Sequence, residues 1–227
     1  EFILYVNMLT WPVTAIGWIA SVIQEAEASQ ARINQIMDQK SGIQNTNSQV
    51  YPIHGDIEFK NVTFIYPNSG VVALQNVNFT LKKGQRMAIM GKTASGKTTI
   101  AELLSRMFDV TEGQILIDGK DIRQHNLSII RDRISCVPQD VFLYSDTVAA
   151  NIAFGKPDAT MDEIQMDAEF ASVKDDIEKL PEQFETMVGE RRVTLSGGQK
   201  QRISIARAFI KKPDIVILDD ALSAVDT

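Results

Sequence analysis

Residues 91–98 read GKTASGKT, a loop bracketed by glycines and followed at once by an apolar helical pattern. It fits G-x-x-x-x-G-K-[ST], and the chemistry lies in the residue types. Gly91 and Gly96 permit backbone turns that a β-carbon forbids. The N–H groups of Lys92, Thr93, Ala94 and Ser95 can then converge on one anion. Lys97 offers a compact positive charge to the outer phosphates, and Thr98 a hydroxyl to Mg²⁺. Residues 86–90 (RMAIM) read as a buried strand leading into the loop. Residues 99–104 (TIAELL), beginning with Thr99, read as a helix whose N-terminus faces the phosphates. A glycine-rich turn serving backbone geometry alone is the rival, and the strand–loop–helix context disfavours it. The feature confines the chain to an α/β domain that binds a nucleoside triphosphate.

Composition narrows the rest. At 227 residues, with 44% hydrophobic and 23% charged, the chain suits one full domain plus an appendage. A net charge of −6 argues against nucleic acid as the main partner, because phosphate backbones reward basic surfaces. The single cysteine, Cys136, excludes an internal disulfide and a cysteine metal cluster. The presence of only His54 and His125 argues against a histidine-rich metal site.

Residues 2–23 (FILYVNMLTWPVTAIGWIASVI) carry no charge. As a helix they would span about 33 Å, close to the hydrocarbon thickness of a bilayer. A signal peptide fails for want of a basic leader and a small-residue cleavage site. A buried soluble helix is the plainer alternative, and a membrane helix is the favoured one. A lone spanning helix at this place also suggests that further helices precede it in a longer protein. Residues 24–40 turn polar with Ile33, Ile36 and Met37 at helical spacing, so the helix continues as a stalk. Ser41-Gly42 reads as its stop, and residues 43–52, rich in Asn, Gln and Ser, as a linker.

From Asp56 onward, residues 57–60, 62–66 and 74–81 alternate apolar and polar, as strands do. Asp118-Gly119 between residues 114–117 and 120–122 is a strong hairpin signal. Residues 134–138 give another short strand, 161–180 a helix, and 196–212 a second helix. Residues 214–219 (DIVILD) have the apolar centre of a parallel strand. Asp219 closes that strand where open α/β sheets place ligands, and can hold Mg²⁺ through water. Asp220 can orient an attacking water; the plainer reading is a strand-ending Asx turn. Residues 195–202 (LSGGQKQR) open a helix with Ser196 as N-cap and Gly197 and Gly198 exposing N–H groups, a second anion site. One triphosphate does not need two such sites far apart in sequence, whereas a site shared between two copies does.

Taken together these residues resemble the ATP-binding cassette (ABC) family, exporter type, in which membrane and nucleotide domains share one chain. In the family's order stand Tyr66 as the adenine-stacking aromatic, residues 91–98 as Walker A and Gln139 as the Q-loop glutamine. Residues 195–199 match the LSGGQ signature, including Gln199; residues 215–219 match Walker B, and Ser223-Ala224-Val225-Asp226 the D-loop. Val188-Gly189-Glu190-Arg191 is similar to the exporter loop that senses the membrane domain. The resemblance implies an α/β P-loop NTPase cassette with a RecA-like core, an antiparallel β subdomain and a helical subdomain, preceded by a long membrane and stalk helix. It divides the chain into residues 1–40 (last membrane helix and extension), 41–54 (linker) and 55–227 (nucleotide domain). ATP and Mg²⁺ are the implied ligands, with Thr98, Gln139 and Asp219 around the metal and Asp220, Gln139 and Lys97 catalytic.

Two departures stand out. The family usually has Glu after the Walker B Asp, and here Asp220 is shorter, its carboxylate withdrawn by on the order of 1 Å. The switch histidine of the family lies further on than Thr227. The resemblance implies half of an exporter in a cell membrane, its nucleotide domain cytoplasmic, paired with a second half-transporter and coupling ATP hydrolysis to transport. Asp220 suggests that this half carries the slow site of a heterodimer. A soluble ABC ATPase of DNA repair or translation and a non-hydrolysing ATP-binding module are the alternatives. The cargo is not written in these residues.

Overall fold

A computed structural model describes residues 1–39, 41–45, 47, 49, 51–189 and 195–220. The chain forms two units, Glu1–Gly42 and Ile43–Thr227. The first is one helix, α1 (Phe2–Met37), with no buried residue. It is long and apolar enough to cross a membrane. The Thr10 and Thr14 hydroxyls donate to the carbonyls of Val6 (3.1 Å) and Thr10 (3.0 Å), hiding their polarity within the helix. The helix stops at Asp38, whose N–H donates to the Asn34 carbonyl, before the expected Ser41-Gly42 break.

The second unit begins with an antiparallel sheet in the order β2-β1-β3-β4. Its strands are β1 (Ile57–Ile65), β2 (Val72–Leu81), β3 (Glu112–Ile117) and β4 (Lys120–Asp121). The two segments expected around residue 61 form one strand with a bulge at Asn61 (φ 49°). Gly113 (φ 81°) lies against the Lys60 and Asn61 carbonyls so closely that a β-carbon has no room. Asp118 (φ 52°) and Gly119 (φ 78°) turn the β3–β4 hairpin with both residues left-handed, as a type I′ turn requires.

The α/β part holds α2 (Lys97–Leu104), α3 (Leu127–Arg133) and a parallel pair, β5 (Ile134–Val137) with β6 (Ile215–Leu218). Ile100, Leu103 and Leu104 of α2 share one core with Phe59, Phe64, Ile115, Ile134 and Ile215, joining the antiparallel sheet to the parallel pair. A second core is helical. It gathers residues of α4 (Val148–Ala153), α5 (Met161–Phe170), α6 (Lys174–Glu178) and α7 (Gly197–Phe209). The expected helix over residues 161–180 is broken between α5 and α6 at Ser172, whose φ of 55° no helix accepts.

Residues 86–90 correct the sequence reading. They form no strand, and Met87, Ile89 and Met90 are exposed. A buried strand needs a hydrogen-bonded neighbour, and among the described residues β6 pairs only with β5.

The stretch read as a linker is docked. Asn45 accepts from the Leu127 N–H (3.0 Å), and Asn126, the N-cap of α3, donates to the Asn47 carbonyl (2.8 Å). Further on, the Asp118 carboxylate accepts from the N–H groups of His54 (2.7 Å), Gly55 (3.2 Å) and Asp56 (3.0 Å). Asp56 returns a carbonyl to the Asp118 N–H (2.8 Å). Replacing Asp118 with alanine strands three backbone donors. The Asp118→Ala variant should lose about 2 kcal/mol of stability in denaturant melts; an unchanged midpoint would show that this clasp contributes nothing.

Candidate nucleotide-binding site

The phosphate loop is shaped by its glycines. Gly96 caps α2 at φ 87° and presses on β2, where a β-carbon would lie 2.5 Å from the Ala73 carbonyl oxygen and 2.8 Å from the Leu74 side chain. Gly91 faces Ser95, whose hydroxyl would lie 2.5 Å from a β-carbon there. Ala94 is also left-handed (φ 64°), and the Ser95 N–H donates to the Lys92 carbonyl (3.2 Å). The Lys97 ammonium folds back on the loop, donating to the carbonyls of Gly91 (3.0 Å) and Lys92 (2.9 Å). Its charge is held where the loop curls. Gly91, Lys92, Thr93, Ala94, Ser95 and Thr98 are exposed, whereas Thr99 is buried.

Tyr66 follows β1 and stands beside this helix start. Its hydroxyl donates to the Glu102 carboxylate (2.7 Å) and lies 2.9 Å from the Thr99 hydroxyl. Its ring meets Phe64 and Phe108 edge-on, at centroid distances of 4.9 Å and 5.7 Å. Burial raises the pKa of the Tyr66 hydroxyl, with the Thr99 bond opposing that rise and Glu102 adding to it. At neutral pH the hydroxyl is therefore a proton donor.

The carboxyl end of the parallel pair collects the next group. Val137 pairs with Leu218, and the Asp219 N–H donates to the Val137 carbonyl (3.0 Å). Gln139, two residues past β5, and Asp219 and Asp220, just past β6, thus leave the sheet at one end. Asp219 is half-buried; Asp220 is exposed and left-handed (φ 50°), a conformation Asp tolerates better than most residues. Thr98, Gln139 and Asp219 offer a hydroxyl, an amide carbonyl and a carboxylate, all hard oxygen donors of the kind Mg²⁺ takes. Asp219 also acts on Cys136 of β5: although the residue is exposed, partial desolvation of its thiol pushes the pKa up, and the carboxylate adds to it.

The second glycine-rich helix start lies on the other core. Leu195 is buried as its anchor, and Ser196 and Gln199 form a reciprocal capping box at the head of α7. The Gln199 N–H donates to the Ser196 hydroxyl (3.2 Å), and the Ser196 N–H to the Gln199 side chain (3.0 Å). Gly197 is exposed, and a β-carbon on it would meet nothing within 4 Å. Gly198 is half-buried beside it. Val188 is buried and Gly189 (φ 132°) lies against Ser145. Glu190, Arg191 and residues 223–226 of the expected D-loop fall outside the described residues.

Sequence reasoning missed two features. Glu102 reads as one acid on a helix, and nothing in the sequence pairs it with Tyr66, 36 positions away. The other is a cleft of about 400 Å³ lined by Cys136, Phe142, Tyr144, Phe154 and Arg207. Tyr144 stacks on Phe154 at 4.4 Å, with the Arg207 guanidinium over both rings. Phe142, Tyr144 and Phe154 lie in a largely apolar stretch, where nothing in the sequence sets them apart from core residues.

Comparisons with known proteins point one way. A family profile described as "ABC transporter" matches residues 74–223. All of this chain aligns, at 44% identity, with 38% of the "Multidrug resistance-like ATP-binding protein MdlA" of Escherichia coli (strain K12). It aligns at 46% identity with 39% of the "Probable multidrug resistance ABC transporter ATP-binding/permease protein YheI" of Bacillus subtilis (strain 168). The chain thus spans under two-fifths of the length of these relatives. A solved bacterial Atm1-family ABC exporter with ATP bound superposes on 98% of this chain and 39% of its own, at TM-score 0.84 and 36% identity. With its phosphate loop, its second glycine-rich helix start and its antiparallel and helical parts in that arrangement, the chain belongs to the ABC transporter family.

Proposed function

We propose that this chain is the ATP-binding half of a membrane exporter, with residues 1–40 as its last membrane helix and stalk, 41–54 as connection and 55–227 as nucleotide domain. Two such domains, from two copies or from this chain and a relative, close head-to-tail over two ATP molecules. Each triphosphate lies between residues 91–98 of one and residues 195–199 of the other. The observation that carries this reading is the separation of the two anion-seeking helix starts. The phosphate loop leads into a helix of the sheet core, the Ser196–Gln199 turn into a helix of the helical core, and Gly197 faces open space.

Within that arrangement each residue has a task. The loop N–H groups, Lys97 and Ser196, Gly197, Gly198 and Gln199 bind phosphate oxygens. Tyr66 and Thr99 border the base side of the loop. Thr98, Gln139 and Asp219 would hold Mg²⁺, which would offset the charge of the phosphates. Asp220 and Gln139 would orient the attacking water. ATP binding favours the closed state because its γ-phosphate is contacted from both sides only there, and hydrolysis removes that preference. The apolar α1 and the ATP-binding/permease relative support a membrane setting, with the nucleotide domains in the cytoplasm.

Asp220 makes this chain's own site slow and favours a heterodimer whose partner supplies the longer acid. In the full-length assembly, Asp220→Glu should raise ATP turnover by about tenfold or more. Lys97→Ala should abolish Mg²⁺-dependent ATP binding at the same site. Phosphate-release assays and equilibrium dialysis check both, and unchanged turnover in Asp220→Glu would remove the slow-site reading.

A further inference from the structure

Tyr66, Thr99 and Glu102 form a chain of hydrogen bonds that the phosphate chemistry leaves unused. Tyr66 has a single hydroxyl proton, and it goes to the Glu102 carboxylate at 2.7 Å. The Tyr66 oxygen, 2.9 Å from the Thr99 hydroxyl, is then free to accept the proton of Thr99. Thr99 is 4% exposed and sits in the first turn of α2, next to Thr98 and Lys97 of the phosphate loop. Glu102 lies one turn further along the same helix. The ring therefore hangs from α2 by its hydroxyl, while Phe64 and Phe108 restrict it edge-on. An aromatic side chain at a site mouth ordinarily swings about χ1 and χ2, and stacking on it must order those torsions. Here two bonds to one helix order them in advance.

We infer that Glu102 is a positioning residue for the nucleotide base: with Thr99 it fixes the Tyr66 ring beside the phosphate loop, so that base-dependent affinity is set by an acid on α2. The inference rests on the proposed role of Tyr66 as the adenine-stacking aromatic. It adds a physical link between the base and phosphate subsites, because both hang from the first turns of one helix. A ligand with a base engages the ring and the loop together; a ligand without one engages the loop alone. The bond to an ionised acceptor is also stronger than a neutral one.

The test compares ATP with inorganic triphosphate, which lacks the base, by equilibrium dialysis on the full-length protein. Glu102→Ala should weaken ATP by about threefold to tenfold, the range one hydrogen bond accounts for, and leave triphosphate unchanged. Glu102→Gln keeps an acceptor and should recover most of the ATP affinity. Tyr66→Phe keeps the ring and loses the hydroxyl. It should weaken ATP as Glu102→Ala does, and combining the two should cost no more than either alone. ATP affinity within twofold of the parent in Glu102→Ala overturns the inference, as does an equal loss for ATP and triphosphate. Tyr66→Ala separates the levels. If it weakens ATP while Glu102→Ala does not, the adenine role stands and only the positioning role falls; if it does not weaken ATP, both fall.

Discussion

Residue 96 sits where α2 begins, where β2 passes beneath, and where the loop that ends there must expose its N–H groups. Its left-handed backbone and its contact with the Ala73 carbonyl leave no room for any side chain. Everything at the phosphate end of the domain inherits that constraint. The direction of α2 decides where Lys97 and Thr98 emerge, how Thr99 reaches the Tyr66 hydroxyl, and which apolar face turns inward. Ile100, Leu103 and Leu104 then lock the helix into the core shared with Phe59 and Ile115, so sheet packing and loop geometry are one problem.

The domain also keeps its two glycine-rich helix starts on separate cores. A single core would give them a rigid distance. On the proposed mechanism, two cores joined where β5 meets α7 would let the helical part shift against the sheet part. In that proposal, nucleotide binding favours the motion because the triphosphate would touch both parts, the second through the open face at Gly197. Gln139 lies on the segment that runs from the parallel pair to Phe142 and Tyr144 of the aromatic cleft.

What could be read in advance was whatever chemistry local in sequence dictates. The Asp118-Gly119 hairpin, the Ser196 cap and the glycines of the phosphate loop each depend on a few adjacent residues. Residues 86–90 show the opposite case. Their apolar pattern suits a strand, but a strand exists only beside a partner, and the pattern does not name one. The Asn45 and Asn47 clasp on Asn126 was equally hidden: polar composition reads as a tether, and only the fold brings residues 79 and 81 positions apart together. The Glu102 bond to Tyr66 belongs with them. At the site, residue types announced the phosphate chemistry, whereas the pairings that orient those residues are products of the tertiary structure.

One nucleotide held by two chains is the claim on which the rest depends. Its direct test places cysteines at Ser95 and Gly197 in both chains of the full-length assembly, after every native cysteine, Cys136 included, is replaced by serine. A β-carbon at Gly197 meets nothing, so that change is sterically free. A short bifunctional thiol reagent is then added with and without ATP. The account predicts a cross-link between chains that forms with ATP and is lost without it; a bond within one chain, or none with ATP, would contradict it.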